Sequence, residues 1–276
     1  MKKLGIVVTL LVLIGAVWGL LRTKSDEPKI EKLVLTGSST IAPLAAEIGK
    51  RFESLHSNVR VDVQTGGSSR GVSDTRAELA DIGMASRALK EDEKDLLQFT
   101  IALDGISVIL NKANPVEALN KQQIIDIYTG KIINWKDVGG NDAPITVVNK
   151  AEGRSTLELF LHYFGLKNTD VKPQVVIGDN QQGIKTVVGN PDAIGYVSVG
   201  TAEYEASQGA AIKLLPLEGI AASVENVRNR SFPLSRPLNL VTRAEPAGLA
   251  KDFIEFARSP QVDDQIEAQY FVPVPH

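Results

Sequence analysis

Short apolar runs typical of β-strands alternate with amphipathic helical patterns along most of this 276-residue chain. Ile41, Leu44 and Ile48, for example, recur at the three-and-four spacing that puts them on one helical face. The same patterns predict strands at 33–35, 59–63, 82–84, 106–110, 145–148, 175–177, 194–197 and 238–241, and helices at 72–80, 124–128, 157–164 and 249–257. Strands and helices that alternate in this way are typical of α/β architecture.

The chain begins with an apolar run at 4–21, which follows Lys2 and Lys3 and precedes Arg22 and Lys24. This is the pattern of an export signal. The run also approaches the length of a membrane span, and no small-x-small cleavage site follows it. Residues 1–27 are therefore predicted to be a signal peptide or an uncleaved anchor in the inner membrane, with the remainder periplasmic or otherwise extracytoplasmic.

Composition excludes several classes of protein. The chain contains no cysteine and carries a formal net charge of −3, so disulfides, thiolate metal sites and a lipidated N-terminal cysteine are excluded, and no general basic surface favours nucleic acid. About 250 residues follow the export segment, which exceeds the usual size of one hydrophobic core and suits two lobes.

Three separated turns combine serine, threonine and glycine where a predicted strand leads into a predicted helix. They are Gly37-Ser38-Ser39-Thr40, Gly66-Gly67-Ser68-Ser69-Arg70-Gly71 and Gly153-Arg154-Ser155-Thr156. A helix N-terminus offers unpaired N–H groups and a positive dipole end, hydroxyls add donors, and glycine allows an anion to approach the backbone. Each turn alone is also typical of an ordinary helix cap. Three such turns that converge on one point would hold a small anion.

Five sequence strings carry a family resemblance. They are LTGSSTIAPL at 35–44, QTGGSSRG at 64–71, DIGMASR at 81–87, YTGKIINWKDVGG at 128–140 and SFPLSRPL at 231–238. In their order and spacing they resemble the PstS family of phosphate-binding proteins. The resemblance implies a type II periplasmic-binding-protein fold, in which two α/β lobes are joined by two crossovers and the ligand is bound in the cleft between them.

The family resemblance also implies boundaries and ligand contacts. The first lobe would comprise 28–110 and 235–276, and the second lobe 111–234, with crossovers near Asn111 and within 216–235. The implied anion-binding residues are Ser38, Ser39, Thr40, Ser68, Ser69, Arg70, Ser86, Arg87, Asp104, Arg154, Ser155 and Thr156.

Two departures from the family pattern affect the implied site. The family's arginine before the third turn is absent, and Arg154 within that turn is a replacement guanidinium. Larger family members carry an aspartate where this chain has Arg87, which is either a donor in the cleft or a solvated residue. Phosphate differs from sulfate in the proton of hydrogen phosphate, which needs an acceptor. Asp104 is the candidate acceptor, although an Asp-Gly pair also commonly forms a turn.

The function implied is that of a monomeric receptor which delivers phosphate to the permease of an ABC importer, without a cofactor. An enzyme is not expected, because His56, His162 and His276 all lie away from the serine-containing turns and so provide no base for a nucleophile. Two alternatives remain open: a receptor of the same fold for molybdate or sulfate, and a membrane-tethered phosphate sensor or adhesin that serves no transporter.

Overall fold

The computed structural model describes residues 30–275, so the predicted export segment at 4–21 lies outside the described residues. Within 30–275, no helix is both long enough and apolar enough to span a membrane. The chain from Lys32 onward forms one compact unit.

The strands of the described residues lie close to where the apolar runs predict them, except for two short strands at 212–214 and 272–273, which were not predicted. They are β1 (Glu31–Gly37), β2 (Val59–Thr65), β3 (Ile82–Ala85), β4 (Leu97–Asn111), β5 (Thr146–Lys150), β6 (Val175–Ile177), β7 (Ala193–Ser198), β8 (Ile212–Leu214), β9 (Ser235–Thr242) and β10 (Val272–Pro273).

The helices connect these strands and cover the sheet. They are α1 (Ala42–Leu55), α2 (Ser68–Arg76), α3 (Lys121–Tyr128), α4 (Ser155–Phe164), α5 (Asn180–Gly189), α6 (Val199–Ser207), α7 (Val224–Arg228), α8 (Gly248–Ala257) and α9 (Asp263–Ala268). The second helix begins at Ser68, four residues earlier than predicted, so the hydroxyls of the second turn belong to its first turn.

The long strand β4 joins two groups of strands into the order β2-β1-β3-β9-β4-β7-β5-β6. Its first part, from Leu97 to Gly105, pairs antiparallel with β9. Its second part, from Ile106 onward, pairs antiparallel with β7 and β8. We refer to β1–β3, β9 and the first part of β4 with their helices as the first lobe, and to β5–β8 and the rest of β4 with theirs as the second lobe.

The change between lobes occurs near Gly105, about where β9 begins opposite it at Ser235. Residues 106–110 pair and pack with the second lobe, whereas the resemblance implies a first boundary near Asn111. The second implied boundary, at Ser235, coincides with the start of β9. The boundaries that the resemblance implies between the two lobes stay predictions.

Each lobe has its own hydrophobic core. Leu44, Phe52 and Phe253 are buried in the first-lobe core. In the second-lobe core, the ring of Tyr196 stacks on that of Phe160 at 3.9 Å, and Trp135 and Tyr128 are buried. Most buried apolar contacts lie within one lobe, although Leu103 and Val272 pack against the second-lobe core. A layer of buried polar side chains lies between the two lobes.

Candidate anion-binding site

The first two serine-containing turns meet on the first lobe, at the ends of β1, β2 and β3. Ser38 donates from its Oγ to Ser86 Oγ over 3.0 Å, and the backbone N–H of Ser86 donates to Ser68 Oγ over 3.1 Å. All three residues are buried. The structure therefore brings together hydroxyls that are as much as 48 positions apart in the sequence.

The third turn approaches this group from the second lobe. The N–H of Ser69 donates to the carbonyl of Gly153 over 3.2 Å, which joins the second turn to the third. Gly67 permits this approach: its φ is +94°, and a Cβ added there would lie 2.5 Å from the Gly153 oxygen. A side chain at position 67 would therefore be strained and would push the two turns apart.

Arg236 on β9 is the principal residue that sequence reasoning missed. Its guanidinium is buried and donates to Asp104 Oδ2 from Nη2 over 2.8 Å and from Nε over 3.0 Å. The same group reaches hydroxyls of both lobes, namely Thr156 Oγ1 at 3.0 Å and Thr40 Oγ1 at 3.3 Å. Arg236 thus lies at the centre of the polar layer between the lobes.

Lys150, at the end of β5, is the second residue that was missed. It is 3% exposed, and its Nζ donates to Asn180 Oδ1 over 2.9 Å. No carboxylate of the described residues lies within ion-pair distance of this ammonium group. Burial, and secondarily the charge of Arg236, lower the pKa of Lys150 to about 7. An anion beside Nζ would favour the charged form and raise this pKa.

Two donors of the third turn have no hydrogen-bond partner among residues 30–275. These are the buried Oγ of Ser155 and the Nε of Arg154. Ser155 is the first residue of α4, where the helix dipole favours negative charge. A buried polar group normally has a partner, so these donors are placed to meet one that the protein itself does not supply.

The charges of the polar layer favour an anion. Arg236 and Lys150 contribute two buried cations, Arg154 adds a half-buried one, and Asp104 neutralises only one of the three. The surrounding hydroxyls and amide group donate hydrogen bonds without adding negative charge. Together these residues, the anion cluster, suit a small oxyanion with two negative charges. Its members are Ser38, Thr40, Ser68, Ser86, Lys150, Arg154, Ser155, Thr156, Asn180 and Arg236.

Several implied ligand residues make other contacts. Arg70 is exposed and pairs with Asp74 at 3.0 Å, on the outer side of α2. Arg87 is buried, which excludes a solvated surface residue, but it pairs with Glu93 at 2.6 Å and with Glu158 at 2.9 Å. The guanidinium groups of both are held by carboxylates, so the geometry does not favour the expectation that they bind the ligand, which stays a prediction.

Asp104 is also fully engaged. Its Oδ2 accepts two hydrogen bonds from Arg236, and its Oδ1 accepts from Ser198 Oγ over 2.9 Å and from the N–H of Gly200 over 3.1 Å. These four bonds occupy the acceptor positions of the carboxylate. Asp104 therefore orients Arg236, and the expectation that it accepts the ligand's proton stays a prediction, which this geometry does not favour.

Ser39 and Ser69 lie at the edges of the anion cluster. Ser39 is half-buried and faces a groove beside α5. Ser69 Oγ donates to Glu158 Oε1 over 3.1 Å, so this side chain joins the lobes rather than pointing into the cluster.

Among residues 30–275, neither a histidine nor a group of metal-binding side chains lies beside the cluster. His56 ends α1, where its Nδ1 lies 2.9 Å from the Phe52 carbonyl, and His162 is exposed on α4. Among the described residues there is no group of His, Cys, Asp and Glu that could hold a metal ion.

Comparison with known proteins identifies the family. Residues 22–261 match the family model for a PBP superfamily domain. The phosphate-binding protein PstS of Bacillus subtilis is 27% identical over 256 residues, which cover 91% of this chain and 83% of that protein.

Two solved structures share the fold over 89% of this chain and the whole of theirs. One is a phosphate ABC transporter substrate-binding protein from Clostridium perfringens with bound phosphate, with 35% identity and a TM-score of 0.81. The other is an ABC-type phosphate transport receptor from Vibrio cholerae, with 31% identity and a TM-score of 0.70. The chain therefore belongs to the PBP superfamily and, within it, to the PstS family with its type II periplasmic-binding-protein fold.

Proposed function

We propose that this protein is an extracytoplasmic receptor that binds inorganic phosphate and delivers it to an ABC importer. Its relatives support this role: the Bacillus subtilis protein is named a phosphate-binding protein, and the Clostridium perfringens protein contains phosphate. The observation that carries the proposal is the anion cluster, in which buried cations and hydroxyls from both lobes outnumber a single carboxylate.

The proposed mechanism is capture by closure of the cleft. Phosphate first meets donors of the first lobe around Thr40, Ser68 and Ser86. The second lobe then brings Ser155 Oγ, Arg154 and Lys150 against the remaining oxygens by a hinge motion about the connections near Gly105 and Ser235. Tight binding requires nearly every phosphate oxygen to gain a hydrogen bond, because dehydration of a dianion is costly.

In this proposal, serine and threonine oxygens accept the hydrogen bond from the proton of hydrogen phosphate. Asp104 has no free acceptor position, whereas a serine or threonine oxygen both donates and accepts. Because the carboxylate of Asp104 is fully engaged and so is not free to repel a fully ionised anion, sulfate is a second candidate ligand. Equilibrium dialysis with labelled phosphate distinguishes the candidates when unlabelled phosphate, sulfate or molybdate is added as competitor. At a concentration equal to that of the label, only unlabelled phosphate should displace it.

The importer role and the cellular location are further parts of the proposal. We propose that the protein acts as a monomer on the extracytoplasmic side and docks on permease subunits, with the segment at 4–21 as its export signal or anchor. Phosphate uptake by cells that lack the gene should fall, and should recover when the gene is restored. Unchanged uptake would favour a tethered sensor, and mass spectrometry of the mature N-terminus would show whether the segment is cleaved.

A further inference from the structure

The two buried cations of the anion cluster differ in how their charge is compensated. Arg236 pairs with the buried carboxylate of Asp104 over 2.8 Å. Lys150 Nζ instead donates to Asn180 Oδ1 over 2.9 Å, and both residues of this pair are buried. An amide oxygen accepts the hydrogen bond but carries no full negative charge. The protein therefore supplies a counter-ion to Arg236 and only a neutral acceptor to Lys150.

The charged and titratable groups that face Lys150 come from four elements. Burial lowers the pKa of Lys150 most, to about 7, followed by the charge of Arg236 on β9. Asp179, the N-cap of α5, opposes them with a smaller effect, and Arg154 at the start of α4 lowers the pKa further. On β7, Tyr196 accepts from the backbone N–H of Lys150 over 3.3 Å, and burial keeps this phenol neutral by raising its pKa. These surroundings favour the neutral amine above pH 7.

Asn180, the first residue of α5, joins Lys150 to the first lobe. Its Nδ2 donates to Thr40 Oγ1 over 3.2 Å and to Thr201 Oγ1 over 3.4 Å. Because these contacts use the nitrogen of the amide, its oxygen is the atom that faces Lys150. Asn180 thereby holds Nζ within the anion cluster without neutralising it.

A bound phosphate would supply the charge that Asn180 does not. A negative charge beside a buried amine favours the protonated form of that amine. The ammonium group of Lys150 has three N–H donors, of which Asn180 receives one, so the others are available to ligand oxygens. Protonation of Lys150 and binding of the anion therefore favour each other.

We propose that Asn180 is a positioning residue through which phosphate binding becomes coupled to the uptake of one proton by Lys150. The inference rests on the proposed function, because it places phosphate against Nζ. The lone pair of the neutral amine binds a proton that comes from the solvent, or from dihydrogen phosphate where this species arrives. The bound state is an ammonium group against hydrogen phosphate, and no other covalent bond is made or broken. The receptor thus holds phosphate less tightly as the pH rises above 7.

The first test is calorimetric titration of the purified full-length protein with inorganic phosphate in buffers of different ionisation enthalpy, which counts the protons taken up. At pH 8.5 almost all free phosphate is the dianion, so each binding event should take up about one proton. The affinity should fall about five- to tenfold between pH 7 and pH 8.5. Phosphate binding without proton uptake at pH 8.5 overturns this inference alone, whereas no binding of phosphate overturns the proposed function as well.

A variant assigns the proton to Lys150. In Lys150→Arg the guanidinium is charged at every pH of the experiment, so phosphate that binds to this variant at pH 8.5 should bring in under about 0.2 proton. Uptake of about one proton by Lys150→Arg would show that another group titrates.

The role of Asn180 is tested before phosphate is added. NMR titration of ¹³C-labelled lysine, with Lys150 assigned by its loss in Lys150→Arg, should give a pKa of about 7 for Lys150. Asn180→Asp provides a carboxylate partner and should raise this pKa by about 1–3 pH units. Asn190→Asp is the matched control at the other end of α5, where Asn190 donates to Thr146, and should leave it near 7. An ordinary lysine pKa in the wild type, or equal values in the two aspartate variants, would overturn the inference.

Discussion

Arg236 and Asp104 face each other across the antiparallel strands β9 and β4, with Nη2 of the arginine 2.8 Å from Oδ2 of the aspartate. Their side chains are 1% and 0% exposed. The pair lies one residue before β4 passes from the first lobe to the second. It therefore holds the central cation of the anion cluster at the point where the lobes are joined.

Removal of the carboxylate should destabilise the fold. Asp104→Asn leaves a buried guanidinium without its counter-ion, and should lower the free energy of unfolding by about 3–5 kcal/mol in urea denaturation. The double variant Asp104→Leu with Arg236→Met should lose less than the single variant, because no charge stays buried. Glu255→Gln, which removes one partner of the exposed pair with Lys251, is the control and should change stability by under about 0.5 kcal/mol. A double variant as unstable as Asp104→Asn would contradict this account.

Lys150 predicts an unusual dependence of stability on pH. Because its pKa is lowered to about 7 in the folded protein, the unfolded chain binds more protons between pH 7 and the ordinary lysine pKa. The contribution of Lys150 to stability should therefore rise with pH in this window, by roughly 3 kcal/mol from pH 7 to pH 9.5. Denaturation of the wild type and of Lys150→Met at both pH values isolates this contribution. If the difference between them is the same at both pH values, Lys150 is not held in the environment described.

Substitution of a serine in the anion cluster should weaken phosphate binding more than substitution of a surface residue. Ser155→Ala removes a buried hydroxyl that has no protein partner, and should weaken phosphate binding by about 1–3 kcal/mol. Arg70→Ala should change the affinity by less than about twofold, because this side chain pairs with Asp74 outside the cluster. Equilibrium dialysis measures both, and the reverse order of effects would show that the ligand lies elsewhere.

Glu158 should control how long the cleft stays closed. In Glu158→Gln the contacts with Arg87 and Lys90 weaken, so phosphate should dissociate about three- to tenfold faster while association changes little. Stopped-flow kinetics at low and high salt measures both rates. Glu152→Gln is the control, because Glu152 is exposed and accepts a hydrogen bond from Asn168 of the same lobe. Equal dissociation rates in the two variants would exclude a closing role for Glu158.

Much of the fold could be predicted because its elements carry visible periodicity. The closing helix was predicted at 249–257 and lies at Gly248–Ala257. The helix α5 was missed because Asn180–Gly189 contains few apolar residues, although Asp179 gives an N-cap signal, since its Oδ1 accepts from the N–H of Gln182. The first part of β4 was missed because polar residues interrupt its apolar pattern.

The site could be predicted in part. Serine-containing turns are recognisable locally, since their hydroxyls and glycines lie where strands lead into helices. Arg236 was missed although it lies within a string that carried the family resemblance, because an arginine beside Pro237 suggests an exposed connection. Its burial depends on Asp104, 132 positions earlier in the chain. Lys150 was missed for a similar reason, since its Nζ donates to Asn180, which lies 30 positions later in the chain.

Calorimetric titration of the purified protein with phosphate, and separately with sulfate, tests the central claim most directly. If cations and hydroxyls of both lobes converge on one anion, phosphate should bind at one site per chain with a Kd of about 1 µM or below. Sulfate should bind more weakly, because it has no proton to donate to the hydroxyl oxygens of the cluster. In Arg236→Met, phosphate binding should be lost while the variant still unfolds cooperatively. No heat of binding with phosphate, or binding that persists unchanged in a folded Arg236→Met variant, would contradict the account.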